Sequence, residues 1–313
     1  MNKLLQLIPE YRDYVWGGQR LRPGTLTAEA WIVYAGDRVA HGSLQGKTLA
    51  EAARQLGADL LGQKAMTRTG LRFPLLIKLL DCHDWLSVQV HPDDEQARRM
   101  EGPDQFGKTE AWHILEAADG AQLIAGVKEG TTAEALAAAI RNGAIVDHVE
   151  YHTAHTGDTL FMPAGTLHAL GPGCLIYEVQ QTSDITYRIF DWNRPASAGR
   201  ALHLEQSVTV TNPQATGHVQ PAPELKPDDR RALVQCPYFA LEILAAQLQP
   251  LRLDTRGESF HALTVIAGQG AIECGAERII LNRFETALVA AGAGAYHLRP
   301  IGPQGVRALK ASV

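Results

Sequence analysis

Within residues 157–192, GDTLFMPAGTLHALGPGCLIYEVQQTSDITYRIFDW, one histidine stands where two chain reversals deliver it. Gly157 and Asp158 read as a turn, Pro163 and Gly165 end the apolar run 159–162, and His168 follows the second bend. An imidazole aimed inward from a short hairpin is a candidate metal ligand, because neutral imidazole is the commonest side-chain ligand for zinc and related ions; a buried, hydrogen-bonded histidine is the alternative. Upstream, residues 85–91 alternate, with Leu86, Val88 and Val90 on one face and Ser87, Gln89 and His91 on the other. The first face is apolar and the second is equipped for chemistry. Lys78 stands in the middle of the apolar run 73–82, where an unpaired ammonium is expensive to bury, so it needs a partner or a cavity. Lys108, Glu110 and Trp112 share one face if FGKTEAWHI is a strand, and the Lys-Glu pair is either a solvated couple or part of a site. Glu178 and Gln180 share a face of 175–180, and Asp184, Thr186 and Arg188 share a face of 184–190. An arginine alternating with large apolar residues is either paired or directed into a wet cavity. Trp16, in YRDYVWGG, is a strand end packed on the core or a rim residue at a sugar site.

The elements that position these groups are mostly short, β-rich runs broken by Gly and Pro. Three helices interrupt them. Thr48-x-x-Glu51 and Thr131-x-x-Glu134 read as capping boxes, the second ahead of an Ala-rich helix ending near Asn142 and Gly143. Pro92 and the acidic DDEQARRM open another helix, since proline suits a first turn and aspartate a helix N-terminus. Residues 212–231 are rich in Pro and polar residues without periodicity and read as a linker. The expected organisation is therefore a barrel over 1–211, a linker over 212–231 and a second all-β unit over 232–313. In that second unit His261 has no companion His and Glu at ligand spacing, and 290–294 lacks the Pro-Gly-His bend, so no metal site is expected there.

A chain of 313 residues, 45% hydrophobic and 20% charged, can bury a large core. Its net charge of -5 opposes a nucleic-acid binder, which needs a basic face to neutralise phosphates. The N-terminal run has no signal-peptide pattern, and no segment approaches 18 uninterrupted apolar residues, so the protein is expected to be cytoplasmic and away from membranes. Cys82, Cys174, Cys236 and Cys274 lie far apart with no C-x2-C pair, which argues for free structural thiols.

The spacing G-x5-P-x-G-x2-H at Gly157, Pro163, Gly165 and His168 resembles the second half-motif of the cupin barrel family, with Pro172 where that family often has Asn. Taken with WLSVQVHP, GKTEAWHI and YEVQQTSDITYRIFDWNR, it resembles type I phosphomannose isomerase in its short bacterial form, in recognisable blocks over residues 1–210. The resemblance implies an all-β-dominated fold of two cupin-like jelly-roll barrels with a few short surface helices. It implies one Zn2+ per chain near His91, Glu110 and His168, with Gln89 as a further ligand, and an active-site arginine at Arg188. It implies interconversion of mannose 6-phosphate and fructose 6-phosphate through a cis-enediol, in a monomer or homodimer whose partner is a small sugar phosphate. Glu178 and Lys108 are alternative acid-base residues, Trp16 and Lys78 pocket residues, and Ser87 and Arg194 candidate phosphate donors. Two rivals have the same donor types: a cupin oxygenase holding Fe(II), and a sugar-phosphate-binding cupin without catalysis.

Overall fold

A computed structural model describes residues 3–195 and 200–313. Strands dominate, and among the described residues there are six short α-helices. The chain divides into two compact units, one of residues 1–10, 31–77 and 223–313 and the other of residues 11–30 and 78–222. This partition departs from the expected 1–211, 212–231 and 232–313. Leu4–Ile8 pairs antiparallel with Thr286–Val289, Leu4 opposite Val289, so the N-terminal strand joins strands from the tail. Part of the expected linker is also folded: His218–Gln220 pairs with Thr159–Met162, and Asp229–Gln235 is already a strand. The first pairing sets Leu4 opposite Val289 and the second Thr159 opposite Gln220, separations that no local pattern encodes.

The unit of residues 11–30 and 78–222 carries two sheets. Within this unit the first runs in the order His218–Gln220, Thr159–Met162, Glu110–Ala117, Cys174–Gln181. The second has five strands in the order Tyr187–Phe190, Val88–Val90, His168–Leu170, Gln122–Val127, Val149–Thr153. Both sheets are open, so the expected closed jelly-roll barrels are not what the strand pairing describes. Apolar side chains including Trp112, Ile114, Leu123, Leu160 and Ile176 form one buried cluster in this unit. Burying each such side chain contributes roughly 1.5–3 kcal/mol, which is what holds the polar groups below in place.

The helix caps differ in detail from the sequence reading. Thr48 does cap Leu49–Leu56 through a full capping box with Glu51. At the second helix, however, Thr132 rather than Thr131 accepts from Ala135 N–H ahead of Ala133–Asn142, which ends on left-handed Gly143. At the third, Asp93 rather than Pro92 is the cap: its carboxylate accepts from Gln96 N–H and the Gln96 side chain returns the bond. The expected strand over 184–190 begins only at Tyr187, with a register shift between Arg188 and Phe190. All four cysteines are free. No helix of the described residues is long and apolar enough to cross a membrane.

Candidate metal centre and sugar-phosphate cleft

The bend around Pro163 is built as the sequence implies. Thr166 N–H bonds to the Pro163 carbonyl (3.1 Å) and Gly165 takes φ +83°, a conformation that glycine adopts without steric cost. Gly165 N–H also donates to the His91 carbonyl (2.8 Å), so the turn that delivers His168 is fastened to the strand end that delivers His91. His168 lies opposite Gln89 in the five-stranded sheet, and Gln89 lies opposite Arg188. His168, Gln89 and Arg188 are therefore neighbours in one cross-strand row. Glu110 enters from the other sheet of the same unit, between Met162 and Gln180.

These groups meet in a buried cluster. The ligating atoms of His91, Glu110 and His168 all lie within 4.8 Å of one another, and among the described residues they form the one such grouping. His91 Nδ1–H donates to the Ile185 carbonyl and His168 Nδ1–H to the Thr166 carbonyl, each at 2.8 Å. A carbonyl only accepts, so each ring carries its proton on Nδ1 and presents the Nε2 lone pair inward. Burial, followed by the charge of Lys108, pushes the His91 pKa well below its ordinary value. Burial also lowers His168, against the pull of Glu110, so both rings are held neutral. The two Nε2 atoms are 3.1 Å apart, and Glu110 Oε1 is 3.2 Å from that of His168. Two lone pairs and a carboxylate facing each other at this range repel unless a cation stands among them. Glu110 is 0% exposed and neither of its oxygens has a hydrogen-bond partner. A buried carboxylate is otherwise costly, so the donor set fits a divalent metal with two nitrogens and one or two oxygens.

Lys108 supplies one cation. Its Nζ is 2.9 Å from Glu110 Oε2 and 3.0 Å from His91 Nε2. Lys108 precedes the strand, which starts at Glu110, and is delivered by a tight passage: Lys108 N–H bonds to the Pro92 carbonyl, and a Cβ on Gly107 would stand 2.5 Å from backbone atoms at Asp93 and Asp94. Gln89 is close to the cluster, its Nε2 3.3 Å from His168 Nε2.

Lys78 finds both things that its position demands. Its Nζ is 3.3 Å from Glu178 Oε1 and 3.6 Å from Glu29 Oε2, a residue with no signal in the sequence beyond the need of Lys78 itself. Burial opposes the ammonium, but Glu29, Glu178, Asp184 and Glu110 together hold its pKa above the usual lysine value. Burial likewise opposes charge on Glu178, yet Lys78, Lys108 and the Trp112 indole N–H (3.0 Å to Oε2) outweigh it and lower its pKa. Glu178 is thus an ionised carboxylate with Lys78 against Oε1 and the Trp112 indole against Oε2.

A second cationic group forms around Ser87, which is fully buried. Arg188 Nε donates to Ser87 Oγ at 3.1 Å and Arg200 donates to the same oxygen at 3.2 Å. Burial lowers both guanidinium pKa values, with Asp191 opposing the shift in each and Arg188 adding to that of Arg200. Arg194 does not join them: its guanidinium is engaged by Asp84, Asp191 and the Trp85 carbonyl. Arg200, which also pairs with Asp191 at 3.2 Å, is the second arginine at Ser87 and lies in a stretch with no periodicity to reveal it. Trp16 is 2% exposed and packs in the core cluster, so it takes the core alternative rather than the rim. The aromatic with an exposed edge is its stacking partner Tyr14, 5.9 Å away, whose pKa is raised by burial and by Glu29 and Asp184.

Known proteins are similar to this chain. A family model for the phosphomannose isomerase type I catalytic domain matches residues 4–111. The mannose-6-phosphate isomerase of Streptococcus mutans is 35% identical over 297 residues, 90% of this chain and 91% of its own length. The crystal structure of the mannose 6-phosphate isomerase from Bacillus subtilis superposes with a TM-score of 0.87 at 29% identity, covering 100% of both chains. A zinc-bound mannose 6-phosphate isomerase superposes at 0.77 with 17% identity over 99% of each chain, a likeness that shows the fold. With relatedness of this strength along nearly the whole chain, this protein belongs to the type I phosphomannose isomerase family.

Proposed function

We propose that this chain interconverts mannose 6-phosphate and fructose 6-phosphate through a cis-enediol, in the cytoplasm, with one zinc held by His91, Glu110 and His168. The observation that carries this reading is the convergence of two neutral imidazoles on a fully buried carboxylate whose Oε1 has no donor, with Lys108 against its other oxygen. Gln89 becomes a fourth ligand when a half-turn of its amide brings its oxygen towards His168. The relatives' names and the zinc in the structural neighbour support the assignment. The cupin bend at Gly157, Pro163, Gly165 and His168 supports a jelly-roll outline for the unit of residues 11–30 and 78–222.

The metal supplies Lewis acidity, polarising the sugar oxygens so that the proton beside the carbonyl becomes acidic. Every other step belongs to side chains. Glu178, ionised beside Lys78, is the base that takes this proton and returns it to the neighbouring carbon. Lys108, against the oxygen ligand, supplies positive charge beside the sugar hydroxyls, and Lys78 holds Glu178 in its charged state. Arg188, in the same cross-strand row as His168, stabilises the enediolate, and Ser87 with Arg200 holds the phosphate. The half-exposed Tyr14 lines the entrance.

The test is a coupled assay of mannose 6-phosphate conversion by protein dialysed against chelator. Activity should vanish with the metal and return with about one zinc equivalent per chain, and His261→Ala should not change that stoichiometry. Conversion that persists in metal-free protein would sink the reading. The Fe(II) oxygenase alternative has the same three donors, but it leaves Lys78, Glu178 and the two arginines without work.

Assigning the base to Glu178 has its own consequence. Trp112→Phe removes a hydrogen bond to the charged carboxylate, worth about 1.5–3 kcal/mol, so the Glu178 pKa should rise by roughly one unit or more. A base works only when ionised, so the acid limb of the kcat/KM profile should move to higher pH by that amount. An acid limb that stays in place would transfer the role to Lys108.

A further inference from the structure

The other unit contains a cavity that the isomerase reading does not use. It encloses about 440 Å3 and is lined by Arg230, Arg252, Arg256, His261, Lys310 and Ser312, with neighbouring groups. Its position follows from strand register. Lys310 lies opposite Leu263 on one side and Glu242 on the other, and Arg230 lies opposite Leu244. Cross-strand partners project to the same face of a sheet. Leu244, Leu263 and Ala308 on that face belong to the hydrophobic cluster of this unit, so the polar residues continue a buried apolar face to its open end.

The charges there are unbalanced. Lys310 is ion-paired with Glu242, and Lys64 with Glu258 at 2.7 Å. Asp254 accepts from the Arg256 backbone N–H at 2.8 Å. The guanidinium groups of Arg230, Arg252 and Arg256 have no carboxylate partner among the described residues. These three arginines stand against Asp254 and the carboxylate of Val313, so the opening keeps a net positive charge.

His261 adds a directed donor. It is buried, and its Nδ1 lies 2.7 Å from the Tyr296 hydroxyl, which has no other partner among the described residues and so donates to the ring. Burial, reinforced by Lys310, pushes the His261 pKa down to about 3, so the ring is neutral and carries one proton. With Nδ1 accepting, that proton is on Nε2, which has no partner among the described residues. A neutral N–H therefore stands in the cavity wall below the free guanidinium groups.

We propose that this cavity is a binding site for a small phosphorylated molecule, held by Arg230, Arg252 and Arg256 at its opening and by His261 Nε2–H within. Phosphate monoesters carry about -1.5 to -2 charge, which matches the surplus, and planar guanidinium forks suit their oxygens in pairs. The volume exceeds that of a bare phosphate, and the Ser312 hydroxyl provides a contact for a polar body attached to it. No residue of the proposed isomerase cleft takes part.

The experiment is equilibrium dialysis of the zinc-loaded full chain against radiolabelled inorganic phosphate at low ionic strength. The parent should bind two equivalents, one in each unit. Arg230→Ala with Arg252→Ala, both at exposed positions, should weaken one equivalent at least ~10-fold while mannose 6-phosphate conversion stays within about twofold. Arg200→Ala should weaken the other. Succinate at equal ionic strength should displace neither equivalent. The proposal fails if the parent binds a single equivalent, if the double variant keeps both with unchanged affinity, or if succinate displaces phosphate from the site lost in the double variant.

Discussion

His168→Ala is expected to abolish metal retention and to lower kcat/KM by at least ~10³-fold. The reasoning starts from the lone pairs. His91 and His168 are fixed as Nδ1–H tautomers by backbone carbonyls, so both turn an Nε2 lone pair towards Glu110. Removing one imidazole leaves a two-residue set, and three protein ligands are the usual minimum for a catalytic zinc with an open position. A metal acting as Lewis acid contributes several kcal/mol to the transition state, and each 1.36 kcal/mol is tenfold in rate. A folding defect can be separated from this. Zinc should raise the melting temperature of the metal-free parent, since it binds only the folded state, and should not raise that of metal-free His168→Ala. Full zinc occupancy in the variant, measured by elemental analysis, would overturn the ligand assignment.

Replacing the two arginines at Ser87 one at a time should separate catalysis from binding. For Arg188→Ala we expect zinc retained, KM changed modestly and kcat lowered at least ~100-fold, the usual scale for losing one preorganised charge stabiliser. Arg188 stands opposite Gln89, which stands opposite His168, so it is one strand removed from the reacting oxygens. A group used only in the transition state lowers kcat and kcat/KM alike. Arg200 is tied to Asp191 (3.2 Å) and Ser87 and has no place in that row. Arg200→Ala should therefore raise KM at least ~10-fold and leave kcat within a few-fold, as for a ground-state phosphate holder. Lysine at 188 should rescue only partly, because a point charge cannot copy the planar fork. Near-normal kcat with a greatly raised KM in Arg188→Ala would exchange the two roles and direct the search for the catalytic cation to Lys108 or Lys78.

Local chemistry alone determined more of this protein than its architecture would suggest. The bend at Pro163 and Gly165, the alternation of Ser87, Gln89 and His91, and the cost of an unpaired Lys78 are all readable from residue type and spacing, because turn geometry and the two-residue strand period act within a few positions. They singled out His91 and His168 as candidate ligands and announced that Lys78 must have a partner, whereas the resemblance to the family added Glu110. They could not say that the partner is Glu29 together with Glu178, nor that Arg194 is consumed by Asp84 and Asp191 while Arg200 reaches Ser87. Two arginines six residues apart in a stretch without periodicity are equivalent until the chain path, which sets both against Asp191, brings one to Asp84 and the other to a buried hydroxyl. Trp16 was equally undecided, since an aromatic beside a glycine turn suits a core and a rim alike, and only packing assigns it to the core. The division into units lay further still from the sequence. Leu4–Ile8 belongs with Thr286–Val289 because antiparallel register and apolar burial are satisfied across 280 positions, and that choice is made by the whole fold at once.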